Sequence, residues 1–175
     1  VGEAAAPSYL SQVILSCNFD ADYTDESVVG RTLTPGAGAS ISGSSPKFGA
    51  GSVLFAGSVG QTVTSPASSD LLLPGNFTIR CWVKLTASPG GVVICYSDSG
   101  SGDPAWRLFG VSGNKLSFQW YYAAGTATQA LTTTATVVDS TWHHIEVTRS
   151  GDTFRIFADG VLEHSATQAG TIGNA

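Results

Sequence analysis

Residues 140–161 read STWHHIEVTRSGDTFRIFADGV, and this stretch decides the fold. Ile145 and Val147 alternate with polar neighbours until Ser150-Gly151-Asp152 interrupts them. Phe154, Ile156 and Ala158 resume the alternation as far as Asp159-Gly160. A period of two marks a strand with one face in a core, and Asp-Gly is a strong hairpin signal. The stretch therefore predicts two strands and two tight turns.

Working outward, the same grammar recurs. Val13 to Phe19 is expected as a first strand, with Val13, Leu15, Cys17 and Phe19 on one face. Residues 20–46 are loop-rich, and short strands are expected at 52–55 and 61–64. Residues 76–86 give the clearest strand: Phe77, Ile79, Cys81, Val83 and Leu85 alternate with Thr78, Arg80, Trp82 and Lys84. Further strands are expected at 92–96, 106–111 and 115–122, with a hairpin across Ser112-Gly113-Asn114, and residues 125–135 are Thr-rich. Many short strands with frequent turn signals predict an all-β sandwich or barrel.

Composition sets the outer bounds. The chain has 175 residues, 42% hydrophobic and only 12% charged, which suits a single weakly charged globular domain. The net charge of −5, with Lys and Arg scattered singly, argues against a nucleic-acid partner. No apolar run has the length of a membrane-spanning helix, so no membrane partner is expected. Three cysteines cannot all pair within the chain, and none forms a metal-binding spacing. Cys81 falls in step with Ile79 and Val83 and reads as a free thiol facing the core.

Three motifs carry a family resemblance. They are Lys47-Phe-Gly-Ala-Gly-Ser-Val-Leu-Phe55, Gly75-Asn-Phe-Thr-Ile-Arg-Cys-Trp-Val-Lys84, and the stretch from Trp142 to Gly160. In order and spacing they resemble the laminin-G-like branch of the concanavalin A-like lectin/glucanase jelly rolls. The resemblance implies a jelly-roll β-sandwich of two antiparallel sheets, with an N-terminal arm over residues 1–12 and the domain over 13–175. It also implies a last strand that pairs with the first. The chain stops at Thr171-Ile-Gly-Asn-Ala175, so that closing strand is expected to be missing from it. The favoured expectation is a sequence that continues beyond Ala175; strand donation by another chain, or by the N-terminal segment, are the alternatives.

The resemblance further implies a binding or structural module. Members of this Ser/Thr/Gly-rich style occur in tailed-phage virions, as tail fibres, adhesins and capsid decorations. They also occur in secreted bacterial surface proteins. The expectation is a non-enzymatic virion-surface module that assembles with other virion subunits or as a homo-oligomer. The alternative is a carbohydrate-binding module of a secreted bacterial protein.

Catalysis is not expected. A retaining glycosidase needs two carboxylates about 5 Å apart. The four glutamates, Glu3, Glu26, Glu146 and Glu163, include no pair at strand spacing. His143 and His144 are adjacent and point to opposite faces, so they cannot share a metal. No cofactor is required, though calcium is possible. The loop from Asp20 to Asp25 holds Asp20, Asp22 and Asp25, which read either as a solvated turn or as calcium ligands. Asp98 and Asp103 are weaker candidates.

Parity gives a candidate face. If the core-facing sets point inward, Arg80, Trp82, Lys84, His144, Glu146, Arg155, Phe157, Gln119 and Tyr121 point outward. On a single shared sheet they would mix rings with hydrogen-bonding groups. That mixture suits a cell-surface glycan, a protein interface, or a face covered by loops.

Overall fold

A computed structural model describes residues 11–57, 61–86, 91–96, 105–121 and 128–172. The expected N-terminal arm lies largely outside the described residues, as do Asp98 and Asp103. The chain divides into two compact units, Val1–Pro66 and Ala67–Ala175.

The first unit holds two small antiparallel ladders. Strand β1 (Thr34–Pro35) pairs with β4 (Val63–Thr64), and β2 (Ala39–Ser42) pairs with β3 (Ser52–Phe55). The expected strand Val13–Phe19 does not form. Its backbone groups are claimed by a loop instead. The Ser16 amide donates to Asp25 at 2.9 Å, Glu26 N donates to Ser16 O at 2.7 Å, and Arg31 Nε donates to Ile14 O at 2.9 Å. Phe19 closes the extended run with a left-handed φ of 56°. Apolar alternation was present, but a strand also needs a ladder partner.

The second unit is an antiparallel β-sandwich. One sheet has the order β12-β11-β10-β5, from Val161–Thr167, Thr153–Ala158, Trp142–Ser150 and Phe77–Lys84. The other has the order β6-β7-β8-β9, from Val92–Tyr96, Trp106–Val111, Lys115–Tyr121 and Thr128–Thr132. The three expected turns form, including Gly151-Asp152 between β10 and β11. Gly113 and Asn114, and then Asp159 and Gly160, each supply the two consecutive positive φ angles that match the twist of flanking strands. Register shifts interrupt β6 against β7 at Val92/Ile94 and β11 against β12 at Ile156/Phe157.

The inward rows meet between the sheets. Ile145, Val147, Phe154 and Ile156 face Leu108, Leu116, Phe118 and Trp120, all essentially inaccessible to solvent. Trp120 and Phe154 stack across the sandwich at 4.2 Å and 10°. Phe77 meets Phe118 and Phe154 at 6.2 Å each. A short 3₁₀ turn, Ser69–Leu72, seats the Trp106 indole, whose Nε1 donates to Leu71 O at 2.8 Å. Cys81 points toward this core from β5, and burial pushes its thiol up to about 12. All three cysteines are free.

Among the described residues of the second unit, one charged group is buried. Arg149 follows the inward parity of Ile145 and Val147 and is buried. Its guanidinium lies 4.9 Å from the Phe154 ring centroid. It donates to three backbone carbonyls, of Gly151 at 2.9 Å, Pro74 at 3.4 Å and Gly170. These bonds fasten residues 168–172 to the sandwich, where Ile172 is also buried. No helix among the described residues is long and apolar enough to cross a membrane.

Candidate binding face

The outer face of sheet β12-β11-β10-β5 is built in cross-strand rows. Trp82 stands opposite His144, with ring centroids 5.2 Å apart. The next row runs Arg80, Glu146, Phe157 and Leu162 across all four strands. A third row runs Thr78, Thr148, Arg155 and Ser165. Lys84 stands opposite Trp142 at the other end. Seven of the nine predicted residues therefore share one surface: Arg80, Trp82, Lys84, His144, Glu146, Arg155 and Phe157.

The other two do not. Gln119 and Tyr121 lie on β8, in the opposite sheet. Parity correctly turns them outward, but it says nothing about which sheet a strand joins. They form a separate face with Arg107, which is opposite Gln119 in register.

Three polar groups of the first face, on Arg80, Glu146 and Arg155, are available. Glu146 faces Arg80 in register, yet no ion pair joins them among the described residues. Arg80, Glu146 and Arg155 make no side-chain hydrogen bond among the described residues either. Trp82 is 38% exposed and Leu162 is 51% exposed. Trp142 and Leu162 belong to this face but were not singled out from sequence. The alternation that turns His144 outward also turns Trp142 outward, so that signal was present. Leu162 sits beyond the bulge, where simple alternation loses its phase.

His143 has a structural task. Its Nδ1 lies 2.7 Å from Asp159 Oδ2, and its Nε2 lies 3.1 Å from Asp139 Oδ1. Carboxylates only accept, so these two contacts favour the protonated ring. Burial opposes that charge, but the hydrogen bonds from His143 to Asp159 and Asp139 outweigh it and raise the pKa above the usual histidine value. Bonds from the Thr141 hydroxyl and amide, then His143, hold Asp139 at about 2. Asp159 is lowered by His143 first and by the His144 amide second. Both ring nitrogens of His143 are engaged by these carboxylates. Its task is to lock the hairpin turn to the start of β10.

The three candidate calcium ligands are not gathered. Asp25 is buried, and its two oxygens accept from Ser16 N, Ser27 N, Ser27 Oγ and Arg31 N at 2.8–3.0 Å. Burial alone would raise its pKa, but the bonds from Arg31, Ser16 and Ser27 hold it below the ordinary value. Asp22 Oδ1 closes a local turn on Thr24 N at 2.8 Å. Asp20 packs its carboxylate against Gly49. Among the described residues, no group of three or more acidic, His or Cys side chains is placed to hold a metal ion.

Several solved structures share the fold. The binding domain of Paraclostridial Mosquitocidal Protein 1 superposes with a TM-score of 0.76 at 13% identity, over 94% of this chain and 43% of that one. A botulinum neurotoxin type C structure, whose cell entry is dependent upon interaction with two ganglioside molecules, gives 0.66 at 14% identity, over 91% of this chain and 40% of that one. An S-layer domain-containing protein of Clostridium thermocellum gives 0.51 at 23% identity, over 87% and 71% respectively. The chain thus spans less than half the length of the two toxin structures. No curated protein matches it by sequence. The laminin-G-type family model described as the concanavalin A-like lectin/glucanases superfamily matches residues 56–175, which include the whole sandwich. The chain belongs to the concanavalin A-like lectin/glucanase superfamily and carries its lectin-like fold.

Proposed function

We propose that this chain is a non-catalytic glycan-binding module, displayed at a cell or particle surface, whose binding face is the outer side of sheet β12-β11-β10-β5. One observation carries the reading. The Trp82 and His144 rings stand beside Arg80, Glu146 and Arg155, whose polar groups make no protein hydrogen bond or ion pair among the described residues. Sugar rings stack their C–H faces on aromatic rings and pair their hydroxyls with planar polar side chains. Supporting it, the similar folds include two toxin structures, one tied to gangliosides by its cell entry, and a surface-layer protein. The reading needs no cofactor.

A glycan array probed with the full chain tests it. Hits are expected, and Trp82→Ala should weaken them at least tenfold, as loss of a stacking residue typically does. An array without hits at high protein concentration would overturn the reading. A placement in a phage virion, as subunit or homo-oligomer, draws its support from the Ser/Thr/Gly-rich style of the sequence. Copurification with virus particles is its measure.

A further inference from the structure

The opposite sheet has its own constellation. On β7, Arg107 Nε donates to Gln119 Oε1 at 2.7 Å, and the guanidinium carbon lies 4.4 Å from the Phe109 ring centroid. Together these contacts fix the plane of the guanidinium. Neither uses the two terminal nitrogens, which make no further bond among the described residues. Because Gln119 accepts through its oxygen, its amide N–H₂ is left as a donor. Tyr121, two positions along on the same face, is partly exposed, and its hydroxyl has no partner among the described residues. No Asp or Glu occurs in β6, β7, β8 or β9, so no strand residue of this sheet neutralises Arg107.

We propose that this outer face is a second saccharide site, selective for a sugar that carries a carboxylate. The terminal nitrogens of Arg107 grip the carboxylate as a two-toothed fork, the geometry that guanidinium and carboxylate share. The Gln119 amide and the Tyr121 hydroxyl donate to ring hydroxyls. Fixing the guanidinium in advance on Phe109 and Gln119 reduces the ordering cost of binding. Because Arg107 covers the Phe109 ring, the face offers a planar cation and donors rather than an apolar socket for a peptide side chain. The site lies on the other side of the sandwich from Trp82 and does not depend on the face proposed above.

Titration of the full chain with a hyaluronan tetrasaccharide, its methyl ester and a glutamate-rich peptide tests this. The acid form should bind. The methyl ester should bind about tenfold more weakly, the loss expected for one charge-assisted contact. Arg107→Gln should lose about tenfold for the acid with an unchanged melting temperature, and Arg107→Lys should fall between. Equal affinity for acid and ester, or an unaffected Arg107→Gln, would overturn the proposal. So would tighter binding of the peptide, or no binding of the tetrasaccharide at millimolar concentration. Loss in Trp82→Ala but not in Arg107→Gln would also overturn it, while leaving the first binding face standing.

Discussion

Replacing Phe154 with alanine tests whether the two sheets are held by the ring stack at their centre. Phe154 is 1% exposed, stacks on Trp120 and has the Arg149 guanidinium 4.9 Å from its ring centroid. Removing a buried phenyl costs about 3–5 kcal/mol through lost transfer energy and the cavity left behind. The face-to-face contact with Trp120 at 4.2 Å adds about 0.5–1.5 kcal/mol beyond burial. A loss of about 4 kcal/mol is a conservative expectation. For a unit of residues 67–175, this lowers the melting temperature by roughly 16 °C. Thermal melts should be followed by near-ultraviolet circular dichroism, which reports on the Trp120 environment. Phe154→Leu should lose that signal but only about 1–2 kcal/mol, because most of the volume is kept. A loss under about 2 kcal/mol in Phe154→Ala would refute the reasoning, since no fully buried stacked ring costs so little to remove.

The His143 lock predicts a pH optimum for stability. Its raised pKa stabilises the fold fully below about pH 6.5, and that contribution is lost as pH rises through the native value. Asp139 and Asp159 are lowered, so their contribution holds above about pH 3.8 and is lost as pH falls through their native values. The melting temperature should therefore peak between about pH 4 and 6.5, and His143→Gln should flatten the alkaline side of the curve. Asp25→Ala should destabilise the loop of residues 16–31 by about 2 kcal/mol or more, because it removes four hydrogen bonds to one buried carboxylate. Limited proteolysis should then cut within that loop, and an unchanged digest would refute the role. Calcium and chelator should leave the same melting temperature, because the Asp25 oxygens are already occupied by four donors; a calcium-dependent rise above about 2 °C would revive Asp20, Asp22 and Asp25 as ligands.

Half-buried strands announced themselves in the sequence, and their partners did not. β5 and β11 alternate cleanly because one face meets the core and the other meets solvent. The Asp159-Gly160 and Gly113-Asn114 turns were legible because positive φ angles select those residues. Parity then fixed the side on which each residue falls, which is why seven residues of the candidate face were found. It could not assign strands to sheets, and Gln119 and Tyr121 were placed with the wrong neighbours. β12 was hard to read because it is an edge strand with little of either face buried. Arg149 was invisible as a core residue, because its inward parity matters only once three carbonyls converge on it, two of them from distant segments. The apolar run from Val13 to Phe19 misled for the same reason. Its backbone is bonded to a loop organised by Asp25, which local pattern does not reveal.

The four edge strands have a consequence for crowding. A straight, uncharged edge is a template on which copies of a chain polymerise. Here β6 and β12 are each interrupted by a register shift, so neither presents an even ladder. β9 has its Thr132 amide covered by the ring of His164 at 3.4 Å. β5 pairs with β10 without a register shift, but it carries Arg80 and Lys84 two turns of the pleat apart, and a second copy docked antiparallel would bring like charges together. Edge-to-edge pairing of crowded copies is thus disfavoured at each of these described edges.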